Sequence, residues 1–178
     1  MQTRNLLIDE NIEILKQGLE LLYGLAHDAY PNVKHPFSKY GIGSHFRHCF
    51  DFYHSFLSGV EDGRIDYDDR DRDERIERDR MTAISRLEAI IDRLEELSEL
   101  DNQIPVLVRL EDAGDERDPS AWSYSSVMRE LQSLVSHTVH HYALIAVMLQ
   151  LNGFQPPEEF GVAPSTLKRW RATASCAR

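Results

Sequence analysis

Cysteine is nearly missing: Cys49 and Cys176 are the two in a chain of 178 residues. Two cysteines make no disulfide framework, and a chain of this length buries enough surface to fold without one. The natural reading is a reduced, cytoplasmic protein. Basic charge is also short, with 20 Lys and Arg against 30 Asp and Glu and a net charge of −10. A general nucleic-acid binder needs a basic surface to release counterions, so nucleic acid is not an expected partner. No unbroken apolar run approaches the ~18 residues that span a bilayer, and no membrane is expected either. Asp9 interrupts the N-terminal apolar stretch where a signal peptide would need continuity. With 42% hydrophobic and 28% charged residues the balance is that of one globular domain, 1–178, with a core over about 5–170 and a flexible tail over 171–178.

The periodicity predicts an all-α chain of four helices. The first covers Leu6 to His27, with Ile8, Ile12, Leu15, Leu19, Leu22 and Ala26 on one apolar stripe. Tyr30-Pro31 and His35-Pro36 punctuate the loop that follows. The second covers Ile42 to Leu57, with Ser44 as a possible N-cap and Gly59 closing it. Its aromatics, Phe46, Phe50, Phe52, Tyr53 and Phe56, leave few faces for solvent. The third begins at Asp79 as N-cap and carries Ile84, Leu87, Ile91 and Leu94. The fourth is capped by Ser125 or Ser126 and runs to Leu151, where Asn152-Gly153 ends it. The segment from Phe160 to Trp170 is apolar enough to dock.

Two stretches depart from this rhythm. Between helices three and four, Val106, Val108 and Leu110 alternate, as do Trp122 and Tyr124, which predicts a small β-hairpin with Asp112 to Pro119 at its tip. Residues 61–80 hold ten acidic residues and six arginines. A charge run of this kind reads first as a solvated connection or the frayed start of a helix. Its functional reading is an Asp/Arg network across the mouth of a site, with Asp66, Tyr67, Asp68 and Arg70 as its members.

Histidine is the outlier, with 8 in the chain. His137 and His141 sit at i, i+4 on helix four, one above the other. Leu134, Leu144 and Met148 share their stripe, so both imidazoles point inward. His140 lies about 60° or more to one side. On helix two, His48 is the best third ligand, and His45, one turn earlier, can reach the same cavity. A lone buried histidine is usually a satisfied core residue. Two inward ones are harder to satisfy, because each ring needs partners for both nitrogens. An all-nitrogen site accepts Zn, Ni or Fe. Asp51, Glu130, Tyr53 and Tyr142 are candidate helpers, Asp51 through His48 and the tyrosines as donors to a bound oxyanion. For each of them a packing or surface role is an equal alternative.

The segments Gly43-Ser-His-Phe-Arg-His48-Cys-Phe-Asp-Phe-Tyr53 and Ser136-His137-Thr-Val-His140-His141-Tyr-Ala-Leu-Ile145 resemble the helix-two and helix-four signatures of the DinB/YfiT-like family. The resemblance implies a four-helix bundle with a long crossover connection. It implies a divalent metal on His48, His137 and His141, and a homodimer. It also implies a metal-dependent enzyme acting on a small-molecule substrate, a thiol-dependent S-transferase or hydrolase with a low-molecular-weight thiol as a second cofactor. The alternative is a non-enzymatic, metal-stabilised structural or stress-response protein. A closed fourth position on the ion favours that alternative, and an open one facing a pocket favours the enzyme.

Overall fold

The computed structural model describes residues 5–26, 28–33, 40–110, 115 and 117–176. Four long helices form the frame: α1 (Leu6–Gly24), α3 (Ile42–Gly59), α5 (Arg80–Glu96) and α6 (Val127–Leu151). The short helices α2 (Ala29–Asn32) and α4 (Glu74–Arg78) precede α3 and α5, and α7 (Pro164–Cys176) follows α6. α1 and α3 each pack against both α5 and α6.

Local chemistry sets most of the helix starts. Asn5 accepts from Leu7 N at 2.9 Å to cap α1, and its amide nitrogen donates to Leu100 O and Asn102 Oδ1, both at 2.8 Å. Asp79 caps α5 through Met81 N and Thr82 N, and Ser126 caps α6 through Arg129 N. Among the described residues no side chain caps α3, which starts after Gly41. Ser44, the expected cap, instead donates to Glu77 Oε2 at 2.9 Å. The sequence of α2 was expected to be loop; His35-Pro36 lies outside the described residues.

The stripes on α1 and α5 are covered within the chain. Ile8, Leu15 and Leu22 are fully buried, as are Leu87 and Leu94. These stripes therefore need no second copy to cover them. By length and composition α6 is apolar enough to cross a membrane. The core helix of a globular protein passes the same test, and α6 is packed on α1 and α3.

The strands form one sheet in the order β1-β2-β3, with β1 at Arg64–Asp66, β2 at Pro105–Arg109 and β3 at Ser123–Ser126. β2 and β3 are the expected hairpin, antiparallel with Val106 opposite Ser125 and Leu107 opposite Tyr124. Half of its expected tip, Asp112 to Pro119, lies outside the described residues. β1 comes from the charge block and was not expected. It lies parallel to β2, with Ile65 opposite Val108 and Asp66 opposite Arg109. Ile65 is fully buried beneath it.

Two glycines of α3 let the connection 60–79 lie directly on that helix. A Cβ on Gly59 would meet the Arg64 carbonyl oxygen at 2.0 Å, and one on Gly43 would meet the Glu77 carbonyl oxygen at 2.2 Å. Gly59 is the last residue of α3 and also the place where β1 crosses it. At the other end of the chain, Phe160 and Leu167 are buried and Phe160 stacks on Tyr142 at 4.8 Å. α7 carries helix on through Cys176.

Candidate metal centre

α3 and α6 cross so that three imidazoles converge. His137 Nε2 lies 3.2 Å from His48 Nε2 and 3.2 Å from His141 Nε2. One ligand nitrogen from each ring falls within 4.8 Å of the other two. Phe52, one turn after His48, stacks on His137 at 4.2 Å and meets His48 edge-on at 4.9 Å, which fixes both rings.

The spacing suits a shared cation. An ion about 2.0–2.1 Å from each nitrogen in tetrahedral geometry places those nitrogens about 3.3 Å apart. Hydrogen bonding alone serves the cluster poorly. The Nε2 of a neutral ring is either one donor or one acceptor, and His137 Nε2 faces two neighbours at once. Its Nδ1 is buried without a hydrogen-bond partner among the described residues.

The three rings stay neutral at ordinary pH. Burial, then His137 and Arg70, lowers His48 to about 4. Burial, then His140 and Arg70, lowers His137 to about 4. Burial, then His137 and His48, lowers His141 to about 3. Their lone pairs are therefore available.

The outer nitrogens meet different neighbours. His141 Nδ1 lies 2.8 Å from His45 Nδ1. His48 Nδ1 faces the Arg70 guanidinium at 3.4 Å. His140 is exposed and touches His141 only ring to ring, with centroids 5.2 Å apart. His54 is exposed.

A cleft of about 500 Å³ opens beside His48 and His137. Glu130 forms part of its wall and is buried. It accepts from Tyr67 Oη at 2.9 Å and Ser125 Oγ at 2.5 Å. Phe52, Val108, Tyr124 and Leu134 form the apolar side. Of the charge block, Tyr67 lines the cleft and Arg70 touches the centre. Asp66 and Asp68 pair with Arg109 at 2.7 and 3.5 Å. A second cavity, of about 600 Å³, runs past Arg64, Leu107 and Trp122 and shares only Tyr124 with the first.

Three nominated helpers lie elsewhere. Asp51 is buried and pairs with Arg47 at 2.6 Å, and Arg47 in turn meets Glu77 at 2.5 Å. Asp51 thus braces Arg47, whose guanidinium ties α3 to α4 through Glu77, rather than orienting His48. Tyr142 is fully buried, its hydroxyl pressed where a Cβ of Gly18 would be, with no hydrogen-bond partner among the described residues. It follows His141 by one residue, and a turn of about 100° carries it to the α1 side. Tyr53 donates to Asn11 Oδ1 at 2.8 Å, also in the core. Ser125 and Arg129 also line the cleft, and neither stands out as a site residue in the sequence. Their one signal is position, just before and within the first turn of α6.

No family model and no solved structure matches the chain. FK506-binding protein 5 of Rhizopus delemar is 38% identical over 106 residues, covering 58% of this chain and 27% of that protein. The chain thus spans little more than a quarter of this curated relative. The likeness overturns the resemblance to the DinB/YfiT-like family, because the curated protein that the chain matches is an FK506-binding protein. The motifs behind that resemblance were short. Histidines at i, i+4 on an inward helix face arise wherever a helix turns two imidazoles the same way, whatever the ancestry. The thiol-dependent S-transferase or hydrolase function and its structural, stress-response alternative were both framed on a DinB-like protein, and they fall with it. The three histidines stand on their geometry alone.

Proposed function

We propose that the chain is a helical module that binds one divalent cation through His48, His137 and His141, beside the cleft that His48 and His137 line. The observation that carries this is the single nitrogen, His137 Nε2, placed 3.2 Å from two others. The frame that supports it is a four-helix bundle of α1, α3, α5 and α6, with 60–79 and 97–126 as its long connections. Zn, Ni or Fe suits three neutral nitrogens. Coordination positions left open face a cavity large enough for a small-molecule ligand. The test is elemental analysis of untagged protein purified without chelators, followed by titration with Zn²⁺ and Ni²⁺. One ion per chain is expected, and none in the His137→Ala, His141→Ala double variant. Failure of the unaltered chain to take up either ion ends this reading.

The likeness to FK506-binding protein 5 supports a second reading, binding of FK506 itself. The apolar side of the cleft is where such a ligand would rest. Titration of the chain with FK506, followed by tryptophan fluorescence, tests it. Saturable binding weakened by Leu134→Arg supports the reading. No binding at tens of micromolar would place that activity in the larger part of the relative, which this chain does not cover.

A further inference from the structure

We propose that His45 is a positioning residue for the cation, holding His141 in the tautomer whose Nε2 lone pair faces the centre. This rests on the metal reading above. A neutral imidazole has one N–H and one lone pair, and the partner of the outer nitrogen decides which nitrogen holds the proton. For His141 to ligate through Nε2, its Nδ1 must carry the proton and needs an acceptor. His45 Nδ1, at 2.8 Å, is placed to be that acceptor. The two ring centroids are 5.1 Å apart with planes inclined at 44°.

The other two rings lack such an arrangement. The Arg70 guanidinium opposite His48 Nδ1 can only donate, and His137 Nδ1 has no partner among the described residues. His141 is thus the ring whose outer nitrogen meets a group able to accept a proton's hydrogen bond. The helical register explains the pairing. His45 precedes His48 by three residues on α3, so one face of that helix supplies a ligand and, one turn earlier, the partner of a ligand on α6. Removing such an outer partner typically costs 10–100-fold in metal affinity.

The experiment is competition for Zn²⁺ at pH 7.5 against a chromophoric chelator, with the full chain, His45→Ala and His45→Asn. His45→Ala is expected to weaken binding about 10–100-fold at unchanged helix content. His45→Asn, whose Oδ1 accepts a hydrogen bond, is expected to recover a large part of that loss. Nitrogen NMR of the Zn²⁺-loaded full chain is expected to show His141 protonated at Nδ1 and coordinated at Nε2. Unchanged affinity in His45→Ala, an Asn variant no better than Ala, or coordination of His141 through Nδ1 overturns the inference and leaves the metal reading intact. No uptake by the unaltered chain overturns both.

Discussion

α6 keeps its shape through hydrogen bonds to its own residues four positions back. The connection 60–79 keeps its shape through side chains far away in the chain: Arg109 on Asp66, Glu130 on Tyr67, and Arg47 and Ser44 on Glu77. The candidate site draws on both. Its ligands come from α3 and α6, while Tyr67 and Arg70 come from the connection. The geometry of the three histidines therefore depends on two helices packing, and the wall of the cleft depends on long-range ties. The two parts should fail separately.

The largest expected effect breaks the helical side. His141→Ala removes one of three imidazoles and should abolish stoichiometric Zn²⁺ or Ni²⁺ uptake at pH 7.5, with the circular dichroism spectrum unchanged. The fold has enough buried apolar surface to stand without an ion. Retained uptake would sink the metal reading.

Acid should reach the same side next. His48, His137 and His141 are lowered from 6.5 to about 4, 4 and 3. Between about pH 6.5 and 3 the unfolded chain binds protons that the folded chain refuses. Stability supplied by neutral rings is therefore complete above pH 6.5, is lost as pH falls through this window, and levels off below it. Thermal unfolding of the chelator-treated protein should drop by several degrees from pH 7 to pH 4, and His137→Phe should flatten the slope. A flat profile in the unaltered chain would contradict the burial of these rings.

The connection is broken most directly at Gly59. In Gly59→Val the new Cβ would meet a backbone carbonyl, which cannot step aside as a flexible side chain can. A cost of about 1–3 kcal/mol is expected, or about 2–4 °C in Tm for each kcal/mol. Hydrogen exchange should rise over 60–79 and stay low in α6. Uniform loosening of both regions would show that they are one cooperative unit. A smaller cut is Tyr67→Phe, which leaves Glu130 with Ser125 as its hydroxyl donor. About 1 kcal/mol of stability should go, with cation uptake intact.

The same division explains what could be read from residue order. The long helices were legible because Leu15, Leu87 and Leu134 belong to stripes that repeat every three or four residues. The histidine cluster was legible because His137 and His141 lie on such a stripe. Ser126 and Asp79 were legible as caps because capping is local. β1 was not, because three residues carry no period and its partner strand starts some forty residues on. Asp51 was misplaced because Arg47, four residues earlier, competes for it. Tyr142 illustrates a different loss: its helical angle points away from His141, and what waits there, Gly18, is visible only once α1 has docked. Ancestry was the least legible, since two short histidine motifs pointed to one family and a 106-residue alignment points to a protein of another name.

The smallest expected effect is the sharpest control on the helical side. His140 precedes His141 in sequence, and a lone histidine there could be confused with a ligand. Its side chain is exposed, and its ring meets His141 edge-on with centroids 5.2 Å apart. A step of about 100° around α6 separates neighbouring residues, so His140 cannot share the inward face with His141. An exposed ring also leaves no cavity when cut back. His140→Ala should therefore take up one Zn²⁺ per chain with an affinity within about twofold of the unaltered protein, and its stability should move by no more than about 0.5 kcal/mol. The measurement is the same chelator competition at pH 7.5, run beside His141→Ala. Equal loss in the two variants would mean that the ligand face of α6 is turned by one residue, and that the convergence of His48, His137 and His141 is not where the ion sits.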